Sequence, residues 1–83
     1  YERSEVKDAL AYLRLANFRG DDAAFERIVN LPARGIGNRT LDDIRQTARL
    51  ERITLWEAAQ RLIGNRELAA RAAGALQQFL SLI

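Results

Sequence analysis

Apolar residues in this chain recur at intervals of three and four, and no stretch alternates apolar and polar positions with the β-branched enrichment that a strand needs. The spacing predicts an all-α fold of about five short helices in a compact bundle, forming a single domain over residues 1–83. A first helix is expected over 4–17, capped by Ser4, with Val6, Leu10 and Leu13, joined by Ala9, Tyr12 and Ala16, as one broad inward stripe. Asn17 to Gly20 interrupts that pattern. Asp21 or Asp22 then caps a second helix over 22–30, with Phe25, Ile28 and Val29 inward, and Pro32 stops it. A third helix is expected over 41–50, with Thr40 as its cap, Asp43 completing an acidic capping box, and Leu41, Ile44 and Ala48 as its core stripe. Thr54-Leu55-Trp56-Glu57 is a second capping box, opening a fourth helix over 55–63 that ends on Gly64. A fifth helix over 66–83, started by Asn65, carries Leu68, Ala72, Leu76, Phe79 and Ile83 as its seam. Phe25, Phe79 and Trp56 all fall on apolar stripes, which favours core packing over a role as base-stacking platforms; Tyr12 reads as core or rim.

Composition narrows the chemistry. No run of about 18 apolar residues exists to span a membrane, and no signal-peptide pattern opens the chain. The absence of cysteine removes thiolate metal sites and disulfides, and the absence of histidine removes the commonest general base and zinc ligand. No Gly-x-x-x-x-Gly-Lys-Ser/Thr loop is present, and the only lysine, Lys7, lies within a helical pattern. The paired acids Asp21-Asp22 and Asp42-Asp43 read as helix-start residues rather than a metal site. No catalytic residue, cofactor or metal is therefore expected in this segment. Net charge is only +2, yet the cations are twelve arginines and one lysine. Arginine forks match phosphate geometry better than lysine does, so any nucleic-acid affinity must come from local placement. Pairing with acids three or four residues away on helix faces accounts for about half of these arginines. The chain lacks an initiating methionine and starts and stops within helical text, which reads as a piece excised from a longer protein.

The stretch Leu31-Pro32-Ala33-Arg34-Gly35-Ile36-Gly37-Asn38-Arg39-Thr40-Leu41 concentrates what chemistry there is. Two glycines permit a tight turn and close backbone approach, and they lead into a helix start, whose free N–H groups attract phosphate. Arg34 and Arg39 flank the glycines with no acid between them, and Arg45 and Arg49 follow one turn apart on the next helix. The alternative is a plain interhelical turn with Gly35 as a helix C-cap.

Gly35-Ile36-Gly37-x-x-Thr40-x-x-x-Ile44 resembles the hairpin of helix-hairpin-helix motifs, which hold DNA phosphate on backbone amides without reading sequence. A larger part of the chain is similar to the 2B subdomain of UvrD, PcrA and Rep-type DNA helicases. The residues that carry this resemblance are Glu2 to Leu15, Asp21 to Asn30, the Pro-x-Arg-Gly-Ile-Gly hairpin and Thr54-Leu55-Trp56, in that order.

The resemblance implies a parent that moves 3′→5′ on single-stranded DNA, with ATP and Mg confined to two motor domains, in the bacterial cytoplasm or nucleoid. It implies that this segment grips duplex DNA near a single-strand junction and swings against the motor domains. The family's duplex contacts map onto Gly35, Ile36, Gly37, Arg39 and Thr40; charge adds Arg34, Arg45 and Arg49. The segment alone is expected to be no enzyme. A protein-interaction or autoinhibitory module, using the seam of the last helix and the arginine faces, is the competing expectation.

Overall fold

The computed structural model describes residues 3–30 and 34–83; the expectations placed on Glu2, on Leu31 and Ala33 and on Pro32 as a helix stop lie outside the described residues. Five helices follow one another, α1 (Arg3–Asn17), α2 (Asp22–Ile28), α3 (Asn38–Glu51), α4 (Leu55–Gly64) and α5 (Ala70–Leu82), with no strand among the described residues. The all-α expectation holds.

The bundle is built around α4, which packs on α2, α3 and α5, while α1 lies on α2. Ala58 and Ala59 in the middle of α4 are fully buried, and their small side chains let neighbouring helices close in. The core centres on Phe25 of α2 and Phe79 of α5, whose rings meet edge to face with centroids 5.5 Å apart, a favoured aromatic geometry. Trp56 is buried as well, with the Arg19 guanidinium 5.0 Å over its ring. Phe25, Phe79 and Trp56, the three aromatics expected in the core, are buried, while Phe18 is exposed.

Local chemistry fixes most helix ends. Asp21 accepts the Ala24 amide at 3.0 Å and caps α2, and Thr54 accepts the Glu57 amide at 3.1 Å and caps α4. Asp22 does more than start its own helix. Its carboxylate accepts the Leu55 amide, the first of α4, at 3.0 Å, tying the two helix starts together across 33 residues of sequence.

The structure corrects five expectations about the elements. First, α1 is already helical at Arg3, so Ser4 lies inside it and not at its cap. Second, α1 turns Ala11 and Leu15 inward, while Val6, Leu10 and Leu13 are exposed, Leu13 by 61%. Val6 and Leu15 are nine positions apart, about 180° around a helix of 3.6 residues per turn, so α1 has two opposite apolar faces and periodicity alone could not choose between them. Third, α2 ends at Ile28, because Asn30 is drawn into the following turn.

Fourth, α3 begins at Asn38 with Gly37 as its cap, so Thr40 sits inside the first turn. Thr40 is the better capping residue, but Gly37 adopts the extended φ −80°, ψ 168° that a cap requires, and the helix starts there. Fifth, α5 begins at Ala70, not at 66, since residues 65–69 form the exit from α4. Arg66, and not Gly64, takes the left-handed conformation, with φ 56°. Its amide reaches the Ile63 carbonyl at 3.2 Å and the Glu67 amide reaches that of Leu62 at 3.1 Å, a Schellman closure.

Arg52 ends α3 in the same left-handed state, φ 56°. A non-glycine residue there costs about 1–2 kcal/mol, against roughly 0.5–1 kcal/mol of extra chain entropy for glycine. Arg66→Gly is therefore expected to stabilise the fold by about 0.5–1 kcal/mol, read as a raised denaturant midpoint at unchanged slope.

Candidate nucleic-acid interface

The turn between α2 and α3 is held from beneath. Arg34 packs its guanidinium inward: it donates to the carbonyls of Ile28 at 3.1 Å and Val29 at 3.2 Å and to the Tyr12 hydroxyl at 2.9 Å, and it lies 4.9 Å over the Phe79 ring. The end of α2 leaves carbonyls without helical partners, and Arg34 supplies donors to them. This arginine, expected among the phosphate ligands, clamps α1, α2 and α5 together. Lysine can keep the charge but cannot span those acceptors or stack on a ring. Arg34→Lys is therefore expected to cost roughly 1–3 kcal/mol of stability, measured by denaturant titration; a phosphate contact made by charge alone would tolerate lysine.

Gly35 has φ +78°, the positive-φ position of the turn. Ile36 buries its side chain to 2% exposure, so only its backbone can meet a ligand. Gly37 lies in ordinary extended backbone, and a Cβ built on it meets nothing within 4 Å. After it, α3 starts without a side-chain cap and without an acid in its first turn. The amides of Gly37 to Thr40 are the four an α-helix leaves without intrahelical partners. Arg39, in this first turn, is exposed and makes no ion pair among the described residues.

The start of α5 is alike: Ala69 gives it no side-chain cap, its first turn holds no acid, and Arg71 occupies the place Arg39 has in α3. The two helix starts border one open cleft of about 290 Å³, lined by Arg39, Thr40, Asp43, Glu67, Leu68, Ala69 and Ala72. Two helix N-termini and an arginine there favour an anion; Asp43 and Glu67 work against one.

Arg45 and Arg49, one turn apart on α3, line one shallow pocket together but differ in their partners. Arg45 is ion-paired to Glu26 of α2 and, at 2.9 Å, to Asp42. Hydrogen bonding to Glu26 raises its pKa above the ordinary value, with burial opposing and Asp42 adding to the rise. Arg49 is exposed and makes no such pair among the described residues, so it stays available to a polyanion while Arg45 ties α3 to α2. Among the described residues no cluster of acids could hold a metal ion, and no helix is long and apolar enough to cross a membrane.

Residues 1–63, which include the whole turn, match the profile of the UvrD-like helicase C-terminal domain. The chain belongs to this family. It is 60% identical over its full length to DNA helicase II of Escherichia coli (strain K12), of which it covers 12%. Identity is 42% to the ATP-dependent DNA helicase PcrA of Bacillus subtilis (strain 168) and 35% to the ATP-dependent DNA helicase Rep of Buchnera aphidicola, again over the full chain, covering 11% and 13% of those proteins. This UvrD-like segment thus spans about one eighth of the length of the relatives it matches.

Sequence reading missed Asn30 in the UvrD-like turn. Its side-chain oxygen accepts the Arg34 amide at 2.8 Å, and its nitrogen donates to the Ile36 carbonyl at 3.0 Å. The available signal was an asparagine just before a glycine-containing turn, the place where such side chains bond nearby backbone.

Proposed function

We propose that this segment is a 2B-type accessory subdomain that holds duplex DNA, near a single-strand junction and without reading sequence, in an ATP-dependent 3′→5′ DNA helicase. ATP and Mg belong, in this reading, to motor domains elsewhere in the parent, and localisation follows the bacterial chromosome. The observation that carries it is the start of α3, acid-free and without a side-chain cap, behind the Gly35-Ile36-Gly37 turn. Amides held there present a fixed set of donors to a phosphate, as a helix-hairpin-helix unit does. Gly35 shapes the turn, Ile36 anchors it, Gly37 to Thr40 supply amides, and Arg39 and Arg49 add charge. Arg34 and Arg45 stand behind the contact, committed to neighbouring helices.

Non-specific binding of this type has Kd on the order of 10⁻⁴–10⁻⁶ M at physiological salt. Arg39→Ala is expected to weaken binding to all duplex sequences alike and to flatten the log Kd against log salt slope by about 0.9. Gly37→Val is expected to weaken it further. The new side chain has room in the fold, so what it obstructs is a phosphate approaching from outside. Wild-type duplex affinity and salt slope in both variants would leave the turn as a plain connection.

The exposed Val6, Leu10 and Leu13 face of α1 favours a second role, docking against another protein surface. On the last helix Leu76, Phe79 and Leu80 are buried and Leu82 is exposed, so α1 presents the larger apolar face. A partner contact through α1 would be insensitive to salt, unlike the DNA contact.

A further inference from the structure

We propose that Asn30 is the positioning residue of the turn: its carboxamide aims the Gly37 amide outward, toward the phosphate. This rests on the duplex-holding reading above.

The argument starts from how the turn is closed. Among the described residues, no backbone–backbone hydrogen bond spans it; the nearest, from the Leu41 amide to the Gly37 carbonyl, belongs to the start of α3. Asn30 takes that role with one planar group. It accepts from the Arg34 amide at 2.8 Å and donates to the Ile36 carbonyl at 3.0 Å, bracketing Gly35 from both sides. The bond to Ile36 has a directional consequence. The Ile36 carbonyl and the Gly37 N–H belong to one peptide unit, which is planar and trans, so they point in opposite directions. A carbonyl drawn toward the half-buried Asn30 side chain sends the Gly37 N–H the other way. The buried Ile36 side chain prevents the peptide from rotating without leaving the core. Asn30 thereby acts on a ligand it does not touch. Aspartate is nearly isosteric, keeps the bond from the Arg34 amide and loses the donor to Ile36 but adds a negative charge; alanine removes both bonds without one, so the two together bracket the aiming bond.

The test measures duplex affinity across a salt series in the full-length protein carrying Asn30→Asp, Asn30→Ala, Gly37→Val, or Asn30→Ala with Gly37→Val, with helix content and melting temperature recorded for each. Expected are a loss of about tenfold in both Asn30 variants, an unchanged salt slope in Asn30→Ala because the lost donor is an uncharged amide that releases no counterion, and a double variant no weaker than Gly37→Val alone, because both changes disable one donor. A residue that only stabilises the fold would add its loss to that of Gly37→Val. If Gly37→Val weakens binding while the folded Asn30 variants bind as wild type, or their losses are additive, the positioning role is overturned and the duplex-holding turn survives. If Gly37→Val binds as wild type, both fail. If neither Asn30 variant folds, Asn30 is a residue of the fold and the positioning role is rejected.

Discussion

Phe79→Ala is expected to leave the domain largely unfolded at moderately raised temperature. Phe79 is fully buried, stands edge to face against Phe25 and carries the Arg34 guanidinium on its ring. Removing a buried phenyl ring costs about 3–5 kcal/mol, and a chain of this size has roughly 4–12 kcal/mol in total. Each kilocalorie lowers the melting midpoint of such a domain by about 4–8 °C, so a fall of about 12 °C or more is expected by circular dichroism at 222 nm. Phe79→Leu keeps much of the volume and is expected to lose less than half as much. The loss also reaches the turn, because the guanidinium that rests on this ring holds the end of α2 beneath it. A midpoint within 2 °C of wild type for Phe79→Ala would show that the α2–α5 contact does not support the fold.

What could be read from the sequence was decided by the range of each interaction. The five helices, the caps at Asp21 and Thr54 and the burial of Phe25, Trp56 and Phe79 follow from spacing and short-range chemistry, and they are found. The inner face of α1 was not legible. Both of its apolar stripes satisfy helical periodicity, and only packing in the bundle, where α1 lies on α2, breaks the tie. The roles of Arg34 and Asp22 escaped for a related reason. Their decisive partners, Tyr12 and Leu55, lie 22 and 33 residues away, where sequence spacing carries no information. The start of α3 was misplaced by a local rule correctly applied: Thr40 is a good cap, but backbone conformation at Gly37 put the helix start three residues earlier. That correction enlarges the candidate site, since Asn38 and Arg39 become first-turn residues.

The two glycines of the turn, equivalent in sequence, are expected to fail differently, and the contrast decides what each one does. Gly35 has φ +78°, and a Cβ there meets no atom within 4 Å, so any cost of substitution is torsional. Valine at positive φ is a severe outlier, with a cost of about 1–3 kcal/mol, whereas asparagine visits such angles several-fold more readily. Relieving the strain requires turning the Gly35–Ile36 backbone, which pulls Ile36 from its buried site and the Ile36 carbonyl from Asn30. Gly35→Val should therefore lower the melting midpoint by about 5–15 °C and weaken duplex binding together, while Gly35→Asn should retain most of both. Gly37→Val should weaken binding with the midpoint lowered by no more than about 5 °C, the cost of a poorer helix cap, because Gly37 has ordinary backbone angles and open space around its Cβ. In a full-length helicase the same change should reduce unwinding of duplex more than ATP hydrolysis on single strands, since the turn touches only the duplex in the proposed arrangement. Equal stability losses at the two positions would contradict the described backbone. Full binding in a folded Gly37→Val protein would remove the phosphate from the turn.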